Sequence, residues 1–138
     1  MIEDRGEALC VLAERLGDKP PEWGVDDCSM MVAQWIADAT GRDFDWPHYD
    51  SAEDANALIA THGSLAALWT AILAPAGICE LHLAADEIPA IGDVGIVSTR
   101  HVGDVGGIFL HGGNFMWRSE RVTIFPPRRH TIVKVWRV

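Results

Sequence analysis

The hydrophobic pattern of this chain changes period near residue 78, and that change limits the folds open to it more than any other feature. Before it, apolar residues recur at helical spacing. After it, short β-branched and aromatic segments alternate with Gly, Pro and Asn. Leu9, Leu12, Ala13 and Leu16 mark one face of a helix over residues 2–16, which Gly17 stops ahead of Pro20-Pro21. A second helix is expected from about 27 to 40, capped by Asp27 and ended by Gly41, with Met31, Val32, Trp35, Ile36 and Ala39 on its buried stripe. Ser51 and Ser64 cap two more, running to about Thr61 and Ala74, before Pro75 and Gly77. Extended segments follow at 78–83, 94–99, 105–110, 114–118, 121–125 and 131–138. His111-Gly112-Gly113-Asn114 reads as a hairpin turn, because Gly and Asn accept positive φ. Helices followed by a meander of strands define an α+β fold. It is expected as one domain over 1–138, with N-terminal helices (about 1–77) packed on a C-terminal antiparallel sheet (about 78–138).

A chain of 138 residues, 49% of them hydrophobic, suffices for one sizeable core. No apolar run approaches the ~20 residues of a membrane span, and Glu3 and Asp4 are the opposite of the positively charged start of a secretory signal. The expected product is soluble and cytoplasmic at synthesis, with no membrane partner. The net charge of −9 divides unevenly: residues 1–91 carry 17 acidic and 4 basic side chains (−13), residues 92–138 carry 3 and 7 (+4). The acidic total argues against a nucleic-acid partner. Neighbours in sequence need not share a face, so a solvated surface is the simpler reading of the basic part.

Three cysteines at 10, 28 and 79 form neither a CxxC pair nor a zinc-ligand spacing, so no disulfide framework, metal or cofactor is expected. Cys10 is expected to pack among the leucines of the first helix, and Cys79 to sit buried in a short strand. Cys28 differs. The stretch Trp23-Gly24-Val25-Asp26-Asp27-Cys28-Ser29 runs straight into a helix, placing the thiol at the first turn. Unpaired N–H groups and the helix dipole there favour a thiolate. Cys28 is therefore the candidate nucleophile, expected to react faster than Cys10 or Cys79. Asp26 and Asp27 read as capping residues whose charge opposes the thiolate, so the dipole and a nearby imidazolium have to outweigh them.

Trp23-Gly24 leading into Asp27-Cys28-Ser29, then Ile91-Gly92-Asp93-Val94 opening a strand, then Gly107-Ile108-Phe109-Leu110 in the next, resembles the NlpC family of papain-like cysteine peptidases over roughly residues 20–138. The resemblance implies a papain-like fold and hydrolysis of bacterial cell-wall peptides with Cys28 as nucleophile. The ending Lys134-Val135-Trp136-Arg137-Val138 is similar to small members associated with phage tails and gene-transfer agents, which implies phage-like tail proteins as partners and a place in a tail particle. The family's histidine base opens the second core strand, and alignment on Gly107-Ile108-Phe109-Leu110 puts Val105 there. His101-Val102-Gly103 reproduces the start of that motif four residues early, so His101 is the expected general base. The third member would come from 114–119 and is unassigned. Two readings stay open: a cysteine peptidase using Cys28 and His101, or a structural tail-tip or adaptor protein that keeps the fold without the base. His48, His62, His82, His111 and His130 have no partner motif, and the six tryptophans read as core and rim packing.

Overall fold

The computed structural model describes residues 4–17, 20–24, 27–42 and 45–138; Val25 and the expected capping residue Asp26 lie outside them. Four α-helices come first among the described residues: α1 (Arg5–Leu16), α2 (Cys28–Thr40), α3 (Ala52–His62) and α4 (Leu65–Leu73). Each starts where a short polar side chain takes an orphan amide, Asp4 from Glu7, Asp27 from Ser29 and Met30, Ser51 from Asp54 and Ser64 from Ala67. Gly17, Gly41 and Gly63 follow the first three. The stripes match their spacing: Leu9, Leu12 and Leu16 are buried on α1, and Met31, Val32, Trp35, Ile36 and Ala39 on α2. No single described helix is long and apolar enough to cross a membrane.

The strands are β1 (Cys79–Leu81), β2 (Val94–Thr99), β3 (Gly103–Phe109), β4 (Phe115–Arg118), β5 (Val122–Phe125) and β6 (Ile132–Arg137). The molecule is α+β, with one six-stranded antiparallel sheet in the order β1-β6-β2-β3-β4-β5. Strands β2 to β5 form the expected meander, but the last strand does not extend it. β6 crosses back and pairs between β1 and β2, where Val135 and Trp136 are buried on opposite faces. A sequence pattern of period 2 marks a strand without naming its neighbours.

Side-chain alternation divides the core by sheet face. Toward the helices, Val94, Ile96, Ile108, Met116 and Trp136 pack with Leu9, Trp35, Ile36 and Trp69. On the other face, Val97, Val105, Phe109, Phe115 and Val135 form a second cluster, flanked by Leu81, Leu83 and Phe125. Two expectations about thiols fail here: Cys10 and Cys79 are both exposed. Cys10 is one position past buried Leu9, which turns it about 100° off the stripe, and Cys79 starts an edge strand.

Candidate functional site around Cys28

The approach to Cys28 is built around a carboxylate. Asp27 is 1% exposed, and its two oxygens accept four hydrogen bonds: from Gly24 N (2.6 Å), Ser29 N (3.1 Å), Met30 N (3.2 Å) and the Tyr49 hydroxyl (2.5 Å). The last of these fastens the loop before α3 to the start of α2. Gly24 has φ +81°, and a Cβ there would lie 1.8 Å from the Tyr49 carbonyl oxygen, so only glycine permits the approach. The Trp-Gly…Asp-Cys spacing thus serves a local bracket: glycine to let two backbones meet, aspartate to satisfy the amides.

That bracket sets the chemistry of its neighbour. Burial, and secondly the Asp27 carboxylate, push the Cys28 thiol up from an ordinary 9.0 to about 11, against smaller opposing effects of hydrogen bonds at Ser29 and the backbone. The helix-start position does not yield a low-pKa thiol. The dipole is answered already by Asp27, which caps the same amides a thiolate would use. Burial and the hydrogen bond to Asp27 also push the Tyr49 phenol up, so that both groups stay protonated at neutral pH.

The expected base stands elsewhere. His101 is exposed in the turn between β2 and β3, and among the described residues no hydrogen bond joins it to Cys28 and no imidazole is among the groups acting on the thiol. Val105 does not occupy a base position either. It is 5% exposed within the cluster on the sheet face away from the helices, with Val97, Phe109 and Phe115. The β3 residues sharing the helix face are Asp104, Gly106 and Ile108. Asp104 is exposed, and a Cβ at Gly106 would lie 2.2 Å from the Trp69 ring, so Trp69 fills the space a longer side chain would need. In the region expected to hold a third member, Asn114 donates to the His111 carbonyl (3.1 Å) and Ser119 to that of Arg121 (3.4 Å). The remaining histidines are exposed: His62 contacts the Leu58 carbonyl through Nδ1 (2.9 Å), and His82 lies 3.8 Å from Glu80.

The Gly-Asp element has a structural task as well. Trp35 Nε1 donates to the Gly92 carbonyl (2.8 Å), and Asp93, 1% exposed, accepts from Ala90 N (2.9 Å) and the Arg137 guanidinium (3.3 Å). This joins α2, the start of β2 and the end of β6. A cavity of about 20 Å³, one water's room, lies beside Ser29 and Tyr49. Among the described residues no group of three or more His, Cys, Asp or Glu is placed to hold a metal ion. Tyr49 is the site residue that sequence reasoning missed, whereas Trp69, expected to pack, is 0% exposed and fills the space over Gly106. The doublet Gly106-Gly107 was the available signal, since paired glycines in a central strand mark positions with no room for side chains.

Fold and site together define a class: an α+β domain with a cysteine at the first turn of a helix packed on an antiparallel sheet, its thiol kept protonated by its own surroundings. Within that class the chain belongs to the family described as Domain of unknown function (DUF6950), whose profile matches residues 2–138. A search of curated proteins found no match.

Proposed function

We propose that this chain is a papain-like domain of the NlpC type that acts as a non-catalytic structural or adaptor component, in a phage-like tail, rather than as a cell-wall peptidase. The supporting observation is the state of Cys28: a half-buried residue whose thiol is pushed up to about 11, beside a carboxylate and without an imidazole among the groups acting on it. A nucleophile for amide hydrolysis needs a base within hydrogen-bond reach and a lowered or shared proton. Here both influences run the other way. The papain-like assignment rests on the order of elements, in which a helix headed by Asp-Cys precedes an antiparallel sheet whose second strand follows directly on Gly92-Asp93. The tail context rests on the similarity of the C-terminal segment.

Digestion of purified cell-wall peptide by wild type, Cys28→Ser and His101→Ala tests the reading. The expected outcome is no product from any of the three. Product from wild type that is lost in Cys28→Ser overturns the proposal and establishes a peptidase. Additional loss in His101→Ala would make His101 its base. Val105→His is expected to restore nothing and to destabilise, because it buries an imidazole among Phe109 and Phe115.

A further inference from the structure

The turn between β2 and β3 has the build of an insertion element. Thr99 Oγ1 donates to the Gly103 carbonyl (2.7 Å) and accepts from Val102 N (3.2 Å), and Gly103 takes φ +83°, so the tip is held by its own hydrogen bonds. A tip ordered in advance loses little entropy on docking. It carries Val102 at 63% exposure, an apolar side chain held out into solvent, with exposed Arg100 and His101 before it. Because Val97 pairs with Ile132, the segment ahead of β6 lies beside the same end of the sheet and adds exposed Arg128 and His130. One carboxylate, Asp104, stands at the foot of the turn. This end is cationic on a molecule of net charge −9.

A groove of about 520 Å³ between α1 and α2 offers the complement. Its walls include Val11 and Trp35, and among the described residues it carries the carboxylates Asp4, Glu7 and Asp38 against one cation, Arg15. Val11 is 57% exposed, so this apolar stretch is uncovered within one copy.

We infer that the β2–β3 tip of one copy docks in the α1/α2 groove of a second copy, with Val102 against Val11 and Arg100 against Glu7 and Asp38, joining copies head to tail. The argument is charge complementarity between two patches, Asp4, Glu7 and Asp38 around the groove against exposed Arg100 and Arg128 at the tip end, together with an exposed apolar residue on each side of the contact. Two different patches meet, so the contact is heterologous and can continue from copy to copy. A few residues entering a groove bury less than a standard interface, so the association is weak and screened by salt. The inference stands whether or not Cys28 is catalytic.

Sedimentation velocity of the full chain, from about 10 to 500 µM at about 20 mM and about 0.5 M salt, reads it directly. The tip variant Arg100→Glu/Val102→Asp and the groove variant Glu7→Lys/Asp38→Lys change exposed residues, and a denaturant melt of each confirms the fold. Wild type should associate with rising concentration at low salt and lose this at high salt. Each variant alone should remain monomeric. Mixed one to one, they should associate again, since the intact tip of one meets the intact groove of the other and the two reversed patches also carry opposite charge. Wild type that stays monomeric at low salt, variants that associate like wild type, or a mixture that stays monomeric would each overturn the inference.

Discussion

Alkylation of the three cysteines in the folded protein measures the property on which the functional reading depends. At pH 8 a thiol with a pKa of about 11 is ionised to roughly one part in a thousand, whereas one at the ordinary 9.0 is ionised to roughly a tenth. The thiolate is the reacting species, so Cys28 should modify roughly 100-fold more slowly than a free cysteine, before any further loss from occlusion. Cys10 and Cys79 are exposed and should be modified first. Timed iodoacetamide labelling at pH 8 followed by peptide mapping gives the order, and denatured protein supplies the control in which all three react. The Cys28 rate should also keep rising past pH 10, because its ionisation is incomplete there. Modification of Cys28 as fast as Cys10 or Cys79, with a plateau near neutral pH, would refute the reasoning. It would show that a basic group reaches the thiol in solution and would return the peptidase reading to first place.

Three further outcomes follow from the same contacts. The pKa of Cys28 is higher folded than the ordinary 9.0, so its contribution to stability is complete below pH 9 and is lost as pH rises through about 11. At about 1.4 kcal/mol for each pH unit the loss approaches 3 kcal/mol, and urea midpoints at pH 8 and pH 10.5 should differ less in Cys28→Ala than in wild type. Asp27→Ala removes a helix cap, about 1 kcal/mol, and strands the Gly24 amide and the Tyr49 hydroxyl, about 1–3 kcal/mol each; a calorimetric melting temperature lowered by roughly 10 °C is expected, and an unchanged one would mean that the bracket carries no stability. Trp35→Ala should cost roughly 3–5 kcal/mol in a denaturant melt, since the ring is 2% exposed and Nε1 holds the Gly92 carbonyl. Gln34→Ala should stay within about 0.5 kcal/mol, because Gln34 is exposed and contacts only Asp38 on the same helix.

Cys28 shows why a site can be located from sequence and still be misjudged. Its position at the first turn of α2 follows from local rules, the capping preference of Asp27 and the apolar period behind it. Its reactivity does not, because desolvation depends on what the fold places over the sulfur. Tyr49, 22 residues on, reaches Asp27 only after the loop before α3 folds back over Gly24. His101 falls between the expected strands 94–99 and 105–110 and lies in a turn, yet spacing along the chain carries no information on which imidazole faces which thiol. Val105 illustrates the sharpest limit: a one-residue shift in alignment reverses the face of a strand, and only the packing of Val105 against Phe109 and Phe115 reveals that it points away from the helices.

Amino-acid order alone determined the α+β class, the four helices with the caps of the last three, the positions of the strands and the turn at His111–Asn114. These depend on interactions within a few residues, where backbone preference and hydrophobic period act directly. Tertiary structure decided the rest: that β6 inserts between β1 and β2, that Cys10 faces solvent, that Trp69 leaves no room at Gly106, and that the half-buried Cys28 thiol sits beside a desolvated carboxylate. Each of these joins groups far apart in the chain, through the sheet register and the desolvation that packing imposes.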